Sequence, residues 1–306
     1  MSEPFPASIG AATRLCAVYG HPIRHSASPA MQNAGFAALG LDWRYLAFEV
    51  RPEELRTAIA GAKAMQFIGI NLTVPHKLLA VDMVDVLDES ARTWKAVNTI
   101  RFEGRETSGG PWLPLHQLNG YPEKVRTQGF NTDADAIVRS LKEDLGVELR
   151  GARVLILGAG GAGGVAALRI AAEGVSELFL VNRTVSKAGT IAAEIRRRHP
   201  EVRIQLDYPR GEVDLALNAT SLGLRREDPL PVDGRLFSLR QARAVYDMIY
   251  RPAETALLAA ARAAGCRASN GLGMLLHQGA RALEIWTGRP APLDIMRQAL
   301  VKTVHD

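Results

Sequence analysis

Two α/β domains are what this sequence predicts, and three observations predict them. A chain of 306 residues exceeds what one hydrophobic core usually serves. Short apolar runs alternate with helix-period patterns from residue 15 to 98 and again from 153 to about 271, the rhythm of strands and helices packed in layers. Between a clean strand and a helical stretch lies the tract Gly158-Ala159-Gly160-Gly161-Ala162-Gly163-Gly164, a turn that lets the backbone come close to a ligand.

The elements follow in order. Residues 15–19 read as a strand and 28–40 as a helix, opened by Ser26-Ala27-Ser28-Pro29 with Ser28 as N-cap and Pro29 at the first helical position. A strand at 43–49, a helix at 52–64 and a strand at 67–72 continue the alternation. The last of these runs through Asn71-Leu72-Thr73-Val74-Pro75-His76-Lys77 into a short helix. Residues 99–129 carry Pro111, Pro114, Pro122 and several glycines and show no sustained period, so they are expected to form a long loop. Helical spacing resumes after Asn131, with Ile137, Leu141 and Leu145 on one face. The clearest strand, 153–157, precedes the glycine tract, and a helix at 165–173, a strand at 178–181 and a helix at 185–198 follow it. The chain closes with helices at 274–286 and 293–301, separated by Gly288-Arg289-Pro290. The expected domains are 1–133, with 274–306 returning to it, and 134–273, with a ligand between them.

Composition narrows the function. Hydrophobic residues at 47% and charged residues at 23% exclude disorder and fibrous repeats. Apolar runs such as 256–264 are interrupted by charge, here Arg262, and fall short of the ~20 residues a membrane span needs. Residues 1–14 lack the basic start and apolar middle of a secretory signal, so a cytoplasmic enzyme without membrane partners is expected. Cys16 and Cys266 stand far apart without partners at ligand spacing, which indicates neither disulfide nor metal. A net charge of +5 suits an anionic small molecule as well as nucleic acid. The one dense basic cluster, Arg196, Arg197 and Arg198, closes a helical pattern where cations favour the helix end. A small-molecule partner and no nucleic acid are therefore expected.

Gly158, Gly160 and Gly163, with Ala159, Gly161 and Ala162 between them, fit the dinucleotide turn of a Rossmann-type domain, with strand before and helix after. A βαβ unit that binds NAD usually ends its second strand on an acidic residue that holds the ribose 2′-hydroxyl. This chain has Asn182-Arg183-Thr184 there. A guanidinium grips a 2′-phosphate where a carboxylate would repel it, so NADP is the expected cofactor. Thr184 also suits the N-cap of the following helix, and Lys187 adds charge.

In the first domain, Ser26 and Ser28 place two hydroxyls at a helix start, and Asn71, Thr73 and Lys77 gather near a strand's carboxyl end. The ordered set Gly20-His21-Pro22-Ile23, His25-Ser26-Ala27-Ser28-Pro29, residues 71–77, Ala96-Val97-Asn98-Thr99, Asn131-Thr132-Asp133, residues 158–162, Asn182-Arg183-Thr184, Asn218-Ala219-Thr220-Ser221, Asp247-Met248-Ile249-Tyr250, Gly271-Leu272-Gly273-Met274-Leu275 and Gln278-Gly279-Ala280 resembles the shikimate dehydrogenase family and spans nearly the whole chain. The resemblance implies that NADPH reversibly reduces the keto group of 3-dehydroshikimate to give shikimate, in aromatic amino acid biosynthesis. It also implies roles. Ser26 and Ser28 hold the substrate carboxylate with Tyr250 nearby, Thr73, Asn98 and Gln278 hydrogen-bond the ring hydroxyls, and Asn71 is counted among the substrate-binding residues. Thr220, Met248 and Gly271 line the cofactor. Lys77 and Asp133 are the catalytic pair, in a monomer or homodimer.

The chemistry needs such a pair. Hydride arriving at a carbonyl carbon leaves charge on oxygen, which an ammonium stabilises and can protonate. An unperturbed lysine, at about 10.4, is a sluggish donor near neutrality; burial would lower it and a carboxylate raise it. The chain departs from the family pattern at Lys95, at Ala134-Asp135-Ala136, and in the 35 positions (133 minus 98) between Asn98 and Asp133. Residues 104–127 read as an insertion that is expected to border the substrate site. Alternatives are a quinate or related cyclic hydroxy acid dehydrogenase, a folate- or aminoacyl-linked relative, and a non-catalytic NADP-binding regulator.

Overall fold

The computed structural model describes residues 9–305. In chain order its elements are β1 (Arg14–Gly20), α1 (Ser28–Ala38), β2 (Trp43–Glu49), α2 (Leu55–Ala64), β3 (Gly69–Leu72), α3 (His76–Leu79), β4 (Val86–Leu87), α4 (Glu89–Trp94), β5 (Thr99–Arg105), β6 (Leu113–Pro114) and β7 (Lys124–Phe130). They continue with α5 (Asp133–Leu145), β8 (Arg153–Leu157), α6 (Gly161–Ala172), β9 (Glu177–Val181), α7 (Val185–Arg198), β10 (Arg203–Gln205), β11 (Val213–Asn218), β12 (Ala242–Asp247), α8 (Ala256–Ala263), β13 (Arg267–Asn270), α9 (Leu272–Thr287) and α10 (Leu293–His305).

Two compact units result. The first comprises residues 9–132 and Gln278–Val304; the second is Asp133–His277. Helix α9 serves both, since residues 272–277 belong to the second unit and 278–287 to the first.

The first unit holds a seven-stranded sheet in the order β2-β1-β3-β5-β7-β4, with β6 added to β5. Strands β1, β2 and β3 are parallel, joined through α1 and α2, whereas β5 runs antiparallel to both β3 and β7. Met31 and Phe36 of α1, Tyr45 of β2, Ile70 of β3, and Ile100 and Phe102 of β5 are wholly buried. Trp286, Met296 and Leu300, from the end of the chain, complete that core, and Trp286 Nε1 donates to Ile100 O at 3.0 Å. Burying side chains of this size stabilises by roughly 1.5–3 kcal/mol each.

Residues 99–129 correct the sequence reading. They form a β-hairpin, β5 against β7, with β6 and a single 3-10 turn at Leu115–Gln117 in its tip. Polar cross-strand pairs hold it together. Glu103, 3% exposed, receives Arg101 of its own strand and Arg126 of β7. Trp112 lies under the guanidinium groups of Arg105 and Arg126, 4.9 and 4.5 Å from the ring centre.

The second unit holds six parallel strands in the order β10-β9-β8-β11-β12-β13. This is the doubly wound order in which the connection reverses beside the first strand, here β8, and opens a crevice at the carboxyl ends. Leu155, Ile156, Leu180, Leu215, Val245 and Tyr246 are buried on its central strands. Continuous apolar strands are what a sheet covered on both faces requires. Ile137, Leu141 and Leu145 of α5 are buried as their spacing predicts. Among the described residues no helix is long and apolar enough to cross a membrane, and no cluster of His, Cys, Asp or Glu is placed to hold a metal ion.

Candidate active site

In the second unit the glycine tract divides its work among three positions. Gly158 has φ +107°, and a Cβ there would lie 2.8 Å from Ala219 O; only glycine turns the chain so tightly. At Gly163 a Cβ would collide with Gly158 O, so α6 packs onto the turn because that Cβ is missing. At Gly160 a Cβ would meet nothing within 4 Å. Gly160 is also the N-cap of α6 and offers no side chain to its first N–H groups. An open, uncapped helix start beside a glycine turn is where a pyrophosphate fits.

The end of β9 is built around Asn182. Its Oδ1 accepts from Ala159 N at 3.0 Å and its Nδ2 donates to Thr184 O at 2.8 Å, which ties the two βα turns together. Arg183, Thr184 and Lys187 are exposed beside it. Thr184 occupies the N-cap position of α7 as expected, but its hydroxyl caps nothing; its carbonyl instead accepts from Lys187 N at 3.1 Å.

At the ends of β11, β12 and β13, Thr220, Met248 and Gly271 are neighbours. Thr220 Cγ2 would sit 3.0 Å from a Cβ on Gly158, and Met248 O would collide with one on Gly271. Behind them lies a residue that sequence reading left unassigned, Asp247. It is wholly buried and accepts from Asn218 Nδ2 at 2.9 Å, Ile249 N at 3.1 Å and Thr255 Oγ1 at 2.7 Å. Burial pushes its carboxyl above the usual range more strongly than these donors pull it down. It thereby fixes the loop bearing Met248 and the half-buried Tyr250. A lone aspartate ending an apolar strand was the available signal.

In the first unit the expected substrate residues converge on one end of the sheet. Thr73 N bonds Tyr19 O at 3.0 Å, His21 N bonds Val74 O at 3.0 Å, and Val97 N bonds Lys77 O at 2.8 Å. Thr73, the half-buried Lys77 and Asn98 are therefore held together by backbone. Ser28 departs from its expected capping role. The N-cap of α1 is Ala27, with no side-chain cap; Ser28 is the first helical residue and 7% exposed. It is Ser26 Oγ that accepts from Ser28 N, at 3.3 Å. Gln278 comes to the same helix from α9. Gln32 Nε2, one turn beyond Ser28, donates to Gly279 O at 2.8 Å. Asp133, 3% exposed, opens α5 immediately after Thr132.

Asn71 also departs from expectation. It is 6% exposed; Tyr45 O–H donates to its Oδ1 at 2.7 Å, and its Nδ2 donates to Asn98 O at 3.1 Å and Thr99 Oγ1 at 2.9 Å. Both its N–H donors are spent inside the protein. A second correction concerns residues 104–127. Strand β5 starts beside Asn71, at Thr99, and runs antiparallel to β3, so its hairpin tip lies at the other end of the sheet. There Arg14, the first residue of β1, donates to Leu115 O at 3.3 Å. The hairpin tip covers the sheet's far end, ~20 Å away at ~3.3 Å per residue, and does not border these residues.

Comparison with known proteins gives matches along the chain. The substrate binding domain model of shikimate dehydrogenase matches residues 18–100. The shikimate / quinate 5-dehydrogenase model matches 140–221, and the shikimate 5′-dehydrogenase C-terminal domain model matches 271–301. The shikimate dehydrogenase (NADP+) of Moorella thermoacetica is 42% identical over 302 residues, covering 95% of this chain and 94% of that one. Among solved structures, shikimate 5-dehydrogenase from Thermus thermophilus, in complex with NADP(H) and shikimate, aligns with TM-score 0.77 at 33% identity, over 95% of this chain and 99% of that one. The 5-ketofructose reductase of Gluconobacter sp. strain CHM43, ligand-free, aligns with TM-score 0.76 at 34% identity, over 96% and 99%.

Proposed function

The chain belongs to the shikimate dehydrogenase family, and from that premise we propose that it catalyses the reversible NADPH-dependent reduction of 3-dehydroshikimate to shikimate, a step of chorismate synthesis. The observation that carries the proposal is the gathering of Thr73, Lys77 and Asn98 at the carboxyl end of β3, through backbone bonds that leave the Lys77 side chain half-buried.

NADPH supplies the hydride. Residues 158–163 and the uncapped start of α6 suit its pyrophosphate. Arg183, Thr184 and Lys187 suit its 2′-phosphate, because a planar cation, an ammonium and a helix start without a side-chain cap stand exposed there. Ser26 and Ser28 take the substrate carboxylate, and Tyr250 contributes to substrate binding. Thr73, Asn98 and Gln278 bond the ring hydroxyls, while Asn71 stands behind them. Lys77 stabilises the alkoxide oxygen and gives it a proton; Asp133 shares the proton handling.

A second reading, reduction of another polyhydroxylated ketone, is favoured by the likeness to 5-ketofructose reductase. A panel of shikimate, quinate, an aminated analogue and 5-ketofructose, each with both nicotinamide cofactors, separates the two. Shikimate with NADP is expected to give the highest kcat/KM. Lys77→Ala is expected to lower kcat by about 10²–10⁴-fold, the usual worth of a positioned proton donor. Preference for the open-chain ketose, or full turnover without Lys77, would overturn the proposal.

A further inference from the structure

A buried hydrogen-bond relay runs across the first unit beneath the substrate residues. It starts at Tyr45 on β2, whose O–H donates to Asn71 Oδ1 at 2.7 Å. Asn71 Nδ2 donates to Thr99 Oγ1 at 2.9 Å, and Thr99 donates to Asn98 Oδ1 at 3.2 Å. Thr132 N also donates to Asn98 Oδ1, at 2.8 Å, and Asn98 Nδ2 donates to Thr132 Oγ1 at 3.0 Å. Tyr45 and Thr99 are wholly buried, and Asn98, Thr132 and Asn71 are 1%, 3% and 6% exposed. Buried polar groups on this scale are costly unless each is satisfied, and a complete network holds its members in one arrangement.

The direction of the relay matters. An asparagine amide can present either its oxygen or its NH₂ to a ligand. At Asn98 three donors, Thr99 O–H, Thr132 N–H and, at 3.3 Å, Thr132 O–H, converge on the oxygen. The oxygen is therefore turned inward, and the amide's second N–H is what it has left to offer. Tyr45 fixes Asn71 in the same way: its O–H takes the Asn71 oxygen, so that the Asn71 NH₂ must face Thr99 and leave the Thr99 proton for Asn98.

We propose that Tyr45 and Thr99 are positioning residues for substrate specificity, acting through Asn71 to lock Asn98 as a hydrogen-bond donor toward a ring oxygen of the substrate. The inference rests on the assignment of Asn98 to substrate binding. Neither Tyr45 nor Thr99 touches the reacting atoms. The relay also reaches Thr132, at the end of the first unit's main segment.

Tyr45→Phe and Thr99→Val each delete one hydroxyl while keeping shape. Steady-state kinetics with shikimate and NADP+ on the full chain, together with thermal melting, test the idea. Each variant is expected to raise the KM for shikimate about tenfold, the effect of leaving one buried partner unmatched. The KM for NADP+ and kcat should stay within about twofold, the pattern of lost ground-state binding. Thr99→Ser, which restores the hydroxyl, should return the KM to near the wild-type value. The double variant should raise KM little beyond either single one, because both cut the same relay. A lower melting temperature with an unchanged KM for shikimate in both variants would make the network merely structural and overturn the proposal. Should one variant not fold, the other decides. A wild-type chain without shikimate turnover would instead defeat the assigned function, an outcome read before any variant is made.

Discussion

His116 shows how a single residue takes its chemistry from its surroundings. It sits in the hairpin tip with its ring 5.3 Å from that of Trp43, and its Nδ1 is buried without a partner. Burial, then the charges of Arg14 and Arg101, pull its pKa down from 6.5 to about 4. The folded protein thus holds it neutral, while the unfolded chain takes up a proton at higher pH. The stabilising contribution is complete above pH 6.5 and is lost as the pH falls toward 4. His116→Phe, which keeps a ring against Trp43 and removes the titration, is expected to flatten the fall in melting temperature across that window. Equal slopes for both proteins would refute the linkage. Residue-level roles were legible in the sequence where they sit in a local motif, as with Gly158, Gly160, Gly163 and Lys77. They were not legible where the partner lies far along the chain. Nothing near Asn71 announces Tyr45, 26 positions away, or Thr99, 28 positions away.

At the scale of elements, the βα alternation was readable because its strands are apolar runs and its helices keep one buried face. The hairpin of β5 and β7 was not. Its strands interleave Ile100 and Phe102 with Arg101, Glu103 and Arg105, and the polar set is also partly or wholly buried. Only the register makes sense of it, setting Arg101 opposite Gln128 and Glu103 opposite Arg126. The prolines that suggested a loop, with Gly109, Gly110 and Gly120, belong to the tip, while Gly104 and Gly129 lie in the strands. Because that tip is remote from Thr73, Lys77 and Asn98, replacing residues 106–123 with a two-residue Asn-Gly turn is expected to leave the KM for shikimate within about twofold. The melting temperature should drop, since buried Leu115 and the Trp112 clasp go with it. A large rise in KM would show that the tip reaches the site after all.

For the molecule as a whole, the first unit is assembled from both ends of the chain. Met296 of α10 is wholly buried, and its Sδ would come within 3.2 Å of a Cβ on Gly35 in α1, the helix that starts at Ser28. Met296→Ala is therefore expected to cost about 2–5 kcal/mol, read by denaturant unfolding. The substitution should also weaken shikimate binding by loosening α1, while NADP+ binding stays as it was. An unaltered unfolding midpoint would contradict this account. The same discontinuity acts during synthesis. When Thr132 leaves the ribosome, Ile100 O still lacks the Trp286 indole that will cover it. The intervening stretch is 145 residues (277 minus 132), and translation at ~5–20 residues per second needs roughly 7–30 s to make it. Through that interval the nascent chain carries an unfinished hydrophobic face while the second unit is still being made, and only the last two helices complete that face.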